Sequence, residues 1–276
     1  MGQKKDVPEI TVDDLKPCDV IMCHGDDWLA KLIQTLDGYL YTHAALYVGD
    51  GKVAHVMMGG IGQTDFDRLS EEVYVDAYRF NKHGHRLGDK GWSYQPIIDT
   101  ANKYVSEGLH YAWDHLILTG FLVLTRKIPL DPFAKKWLRI ILDHGAEVIF
   151  KILDEGKTPM VCTEFVYRCF HDAIKDGKYT LEIAGLSPDT LEEIRKPAVV
   201  TESPRTMATV DPKEEQLFEE AKAKFLEGWE KMRHLHAQLG TTSHYWDPTV
   251  AACVWPKDLA TSPDLRLIGR IRFRKE

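Results

Sequence analysis

Between Tyr47 and Val53 the chain reads Tyr-Val-Gly-Asp-Gly-Lys-Val. An Asp-Gly pair between alternating apolar residues is among the strongest local signals for a β-hairpin. The two arms, Thr42–Val48 and Lys52–Val56, carry His43 and His55. Loop length decides what those histidines can do. A two-residue loop, Asp50-Gly51, sets His55 opposite Leu46 and sends the two rings to opposite faces. A three-residue loop, Gly49-Asp50-Gly51, sets His55 opposite Ala45 and His43 opposite Met57, so both rings share a face as diagonal neighbours. Gly51 can supply the positive φ that a three-residue loop requires. The three-residue loop is therefore expected, with the second histidine placed to orient the first.

Far downstream, Pro159 precedes Cys162, Phe165, Val166, Cys169, Phe170, Ala173 and Ile174, an apolar set at helical spacing that runs out near Asp176-Gly177. Cys162 then falls in the first turn of a helix. Unpaired backbone N–H groups and the helix dipole favour an anion there, which predicts a lowered thiol pKa. Glu164, in the same turn, is expected to cap N–H groups or to stay in solvent. A thiol, a base and a third polar group are the parts needed for covalent acyl transfer. Cys23-His24 offers thiol and imidazole side by side, but strand neighbours point to opposite faces, so the pair reads as structural. Cys18, Cys169 and Cys253 read as structural too.

With these residues in hand, the chain resembles the permuted papain-like cysteine amidases, the YaeF/YiiX-like branch of the NlpC-type superfamily. The resemblance rests on His43 ahead of Gly49-Asp50-Gly51, on Cys162-Thr163-Glu164-Phe165-Val166-Tyr167, on Leu15-Lys16-Pro17-Cys18-Asp19-Val20-Ile21, and on Val254-Trp255-Pro256-Lys257-Asp258-Leu259 with Ser262-Pro263-Asp264-Leu265. It spans roughly residues 12–175 and 250–273, with interruptions. Cys18 stands where that family commonly has glycine. The histidine strand precedes the cysteine helix, the reverse of the usual papain order. The resemblance implies Cys162 as nucleophile, His43 as base and His55 as the residue that orients it. Many members carry glutamate at that third position. A histidine there is similar to lecithin-retinol acyltransferase and its relatives, which move acyl chains through a cysteine thioester. Tyr111 aligns with a tyrosine lining the family's site, though a core role is the simpler reading.

Composition narrows the remainder. The chain has 276 residues, 44% of them hydrophobic and 28% charged, with a net charge of −7. That balance argues against a nucleic-acid partner and against a polybasic membrane anchor. Five cysteines at scattered spacings, with no CxxC pair, fit free thiols in a reducing compartment. His83-Gly84-His85 and His234-Leu235-His236 lack the carboxylate or cysteine company of a metal site, so neither metal nor cofactor is expected. The run Leu116–Thr125 is too short to span a bilayer. The N-terminus has no apolar segment after its lysines, which reads as no secretory signal and a cytoplasmic chain.

The fold class expected is α+β: a circularly permuted papain-like domain over residues 1–276, with a small antiparallel sheet packed on the nucleophile helix and a helical insertion at 178–250. Strands are expected at 19–23, 43–48, 52–58, 73–80 and 266–273. Helices are expected at about 27–36, within 95–155, from Ser187 to Pro197, and from Asp211 to Gly240 with Leu217, Phe218, Ala221, Phe225, Trp229, Met232 and Leu235 on one side. The leading function is a cysteine hydrolase cleaving a peptide amide, with peptidoglycan peptides as one substrate class. Reaching cell wall without a signal would require a dedicated secretion machine, and an immunity protein would be the matching partner of such an effector toxin. The alternatives are a lipid acyltransferase or deacylase using the same three residues, and a catalytically silent binding protein.

Overall fold

The computed structural model describes residues 7–27, 30, 31, 33, 34, 38–57, 60–107, 139, 142, 143, 146, 147, 150, 161–183, 212–238 and 254–273. The run at 116–125, Tyr111, the Ser187–Pro197 segment and Cys253 lie outside these. The strands are β1 (Glu9–Ile10), β2 (Val20–His24), β3 (His43–Gly49), β4 (Lys52–Met57), β5 (Gly60–Asp65), β6 (Tyr74–Lys82), β7 (His85–Arg86) and β8 (Leu265–Ile271). The helices are α1 (Gln95–Ser106), α2 (Cys162–His171), α3 (Pro212–Gln238) and α4 (Pro256–Thr261). The class is α+β, with one eight-stranded sheet in the order β1-β8-β6-β2-β3-β4-β5 and β7 on β6. Its pairs are antiparallel except β1 with β8.

The chain divides into two compact units. One holds residues 1–109, 162–185 and 254–276, and so the whole sheet with α1, α2 and α4. One core cluster lies along one face: Ile21 and Cys23 from β2, Ala45 and Tyr47 from β3, Val53 from β4, Val75 and Ala77 from β6, with Phe66 and Leu69; Met22, Ala44, Leu46 and Phe80 are buried on the other face. Burying aliphatic and aromatic side chains of this size contributes about 1.5–3 kcal/mol each. Helix α2 packs on β3 and β4, and its Phe170 stacks on Phe80 of β6 with centroids 5.8 Å apart. The other unit holds residues 110–161 and 186–253, including α3, whose Phe218, Ala221 and Phe225 are buried. Among the described residues, no helix is long and apolar enough to cross a membrane.

The hairpin reaches the expected pairing by a different route. Leu46 faces Ala54 and Tyr47 faces Val53, as the three-residue loop required. Yet the turn itself is two residues, with Asp50 at φ 51° and Gly51 at φ 66°, the signature of a type I′ turn. A register shift between Tyr47 and Gly49 adds the missing residue as a bulge, with Gly49 at φ 100°. β8 likewise departs from its simple alternation. A register shift opposite Ala77 and Tyr78 leaves Leu267 40% exposed, while Gly269 and Ile271 are buried. Gly269 is required sterically, because a Cβ there would sit 2.6 Å from both the Pro8 carbonyl oxygen and Ile10 Cγ2. Cys18 holds φ at 69°, the left-handed region, which gives the physical reason why glycine suits this position.

Candidate active site

Strands β3, β4 and β5 build one side of the site. His43 opens β3, and its Nε2 lies 3.1 Å from His55 Nδ1 on β4. The rings meet edge-on, centroids 5.4 Å apart, so both histidines share a face. His55 Nε2 in turn lies 3.0 Å from Thr64 Oγ1 on β5. His55 sits directly opposite Gly62, and Thr64 is its diagonal neighbour two residues on. The glycine leaves the ring room to lean towards the hydroxyl. Burial pulls the His55 pKa down to about 4, so this imidazole is neutral at pH 7.

Cys162 is the first residue of α2, as its spacing predicted, and is buried. The backbone N–H groups of Ala44, the residue after His43, and of Thr163 and Cys162 lie close enough to its sulfur to favour the thiolate. Cys23, paired directly with His43 across β2 and β3, lies within electrostatic reach of the same sulfur. The expectation of a lowered thiol pKa needs correction. Burial pushes it up to about 11, and the three N–H groups recover only part of that. Cys162 therefore rests as a protonated thiol at pH 7.

Other sequence expectations fare differently. Glu164 neither caps the helix nor meets solvent; it is buried and paired with Arg168, Oε1 to Nε 2.8 Å. Arg168 also approaches Asp172 at 3.7 Å, and Tyr104 of α1 donates its hydroxyl to Asp172. Thr163 donates to the Val254 carbonyl oxygen at 2.6 Å, tying the first turn of α2 to the segment before α4. His24 stacks on Tyr74, 4.4 Å between centroids, and bonds to the Leu40 carbonyl oxygen, a structural role. His85 stacks on Trp92 at 5.0 Å. Among the described residues no cluster of His, Cys, Asp and Glu could hold a metal ion. Thr64 was missed from sequence, because its strand shows neither strong alternation nor β-branched density.

No family model matches the chain. It is 22% identical over 217 residues to the probable lipoprotein peptidase YaeF of Escherichia coli (strain K12), covering 74% of this chain and 72% of that one. The resemblance is to the YaeF/YiiX-like branch. The crystal structure of the metalloprotein YiiX from Escherichia coli O157:H7 is similar at a TM-score of 0.43 and 14% identity, covering 92% of this chain and 97% of that one. That likeness is too loose to build on. The branch had been read from the His43 hairpin and the Cys162 helix, and both are formed as elements here.

Proposed function

We propose that the chain is a cysteine hydrolase of circularly permuted papain-like architecture that cleaves an amide bond through Cys162, His43 and His55. The observation that carries this reading is the hydrogen-bonded pair of rings on β3 and β4, with the Ala44 N–H beside it favouring the thiolate form of the buried Cys162 at the start of α2. The YaeF relative is a probable lipoprotein peptidase, which supports hydrolysis of a peptide. Because the thiol rests protonated, His43 acts as a general base during attack rather than as half of a standing ion pair. The sulfur attacks the carbonyl carbon while its proton passes to His43. Backbone N–H groups at the start of α2 stabilise the oxyanion. His43 then protonates the leaving amine, and water hydrolyses the thioester. Neutral His55 holds the His43 ring throughout.

Wild type and Cys162→Ala, incubated with purified peptidoglycan fragments and separately with phospholipid vesicles, test this by mass spectrometry. New amine termini from the peptide fragments with wild type alone are expected. Fatty-acid release from the vesicles, with intact peptides, would move the reading to lipid deacylation. Equal products from both proteins would end it.

A further inference from the structure

We propose that Thr64 is a positioning residue, the hydroxyl that fixes which nitrogen of His55, and hence of His43, carries the proton. This rests on the reading above and deepens it. The contacts run in series: His43 Nε2 to His55 Nδ1 at 3.1 Å, then His55 Nε2 to Thr64 Oγ1 at 3.0 Å. A neutral imidazole has one N–H and one lone pair, so each contact needs one donor and one acceptor. Only two proton orders satisfy both contacts. In the first, Thr64 Oγ1 accepts from His55 Nε2, His55 Nδ1 accepts from His43 Nε2, and the lone pair of His43 is left on Nδ1. In the second, Thr64 donates to His55 Nε2, His55 donates to His43 Nε2, and His43 Nδ1 carries a hydrogen.

Only the first order gives His43 a basic nitrogen outside the ring pair. It also leaves His55 ready to accept from the His43 imidazolium that forms when a proton arrives. Thr64 is half-exposed, so its own hydroxyl hydrogen can go to water while the oxygen accepts from His55. A neutral His55 is required for either order, and its burial secures that. Gly62, directly across from His55, leaves the diagonal line to Thr64 open. The pair His43–His55 links the two rings; the third member sets the direction of the proton between them.

The test compares wild type, Thr64→Val, Thr64→Ser, His43→Ala and Cys162→Ala. The readouts are single-turnover acylation by p-nitrophenyl acetate across pH, and 15N NMR of the ring nitrogens, which reports the tautomer of each histidine directly. Both wild-type rings should carry hydrogen on Nε2. Thr64→Val should acylate about tenfold more slowly at pH 7, the loss expected when one hydrogen-bond preference is removed. Thr64→Ser should stay within about twofold of wild type, since it keeps the hydroxyl. The Thr64→Val deficit should shrink as pH rises towards the thiol's own ionisation, where a base is no longer needed. A wild-type His55 with its hydrogen on Nδ1 overturns the proposal, and needs no variant to fold. So does a Thr64→Val protein with unchanged tautomers and rate. Failure of the underlying reading looks different: Cys162→Ala and His43→Ala would react as fast as wild type, whatever the tautomers.

Discussion

The two sides of the site handle buried polarity in opposite ways. On β3, β4 and β5 the buried groups are kept uncharged: His55 is driven to its neutral form by burial, and its contacts are to another ring and a hydroxyl. On α2 the polar groups are paired with opposite charges: Glu164 and Asp172 flank buried Arg168 on one helical stripe. Burial works against the guanidinium, but Glu164, Tyr104 and Asp172 together outweigh it and hold its pKa above the ordinary value. On the strands, burial selects groups that stay neutral. On the helix, opposite charges compensate each other's burial through direct pairing.

The comparison breaks most visibly at Arg168. Arg168→Met removes the guanidinium paired with buried Glu164 and should cost about 3–5 kcal/mol, measured by urea unfolding at pH 7. A loss below about 1 kcal/mol would mean the stripe is solvated and the contrast false.

The next effect is on the neutral side and depends on pH. His55 titrates at about 4 when folded and near 6.5 when unfolded. Between those values the unfolded chain binds the extra proton, so stability falls as pH drops through this window and is fully present above it. His55→Asn should remove about 2–3 kcal/mol of the loss between pH 7 and pH 4. Parallel stability-pH curves for the two proteins would contradict the burial of a neutral ring.

The smallest change trims a neutral donor from the charged side. Tyr104→Phe deletes the hydroxyl that donates to Asp172 and should cost about 1–2 kcal/mol by thermal unfolding, with little effect on the pH profile.

Much of this frame was legible because its signals are local. Asp50-Gly51 announced the turn, the Cys162-Phe165-Val166-Cys169 spacing announced α2, and Asp211-Pro212 marked the start of α3. The meeting of His43 and His55 followed from pairing alone, although a bulge rather than a longer loop supplied the extra residue. What stayed hidden depends on contacts between distant segments. β5 reads Gly-Ile-Gly-Gln-Thr-Asp, with only its first two residues buried, and it exists because β4 offers it an edge. Thr64 went unnoticed with it. The thiol pKa was misjudged because helix position is visible in sequence, whereas the burial that outweighs it is not. Glu164 failed the same way, since nothing local says that Arg168 four residues on will be sealed in beside it.

The bulge between Tyr47 and Gly49 makes residue count at the ribbon's tip a chemical variable. Removing one position there, with the turn otherwise kept, would slide one arm by a single step and carry the His55 imidazole through to the far side of the sheet. The positive φ of Gly49, Asp50 and Gly51 restricts the tip's side chains as well. Anyone grafting this ribbon onto another scaffold, or shortening it for stability, must conserve its length before its composition.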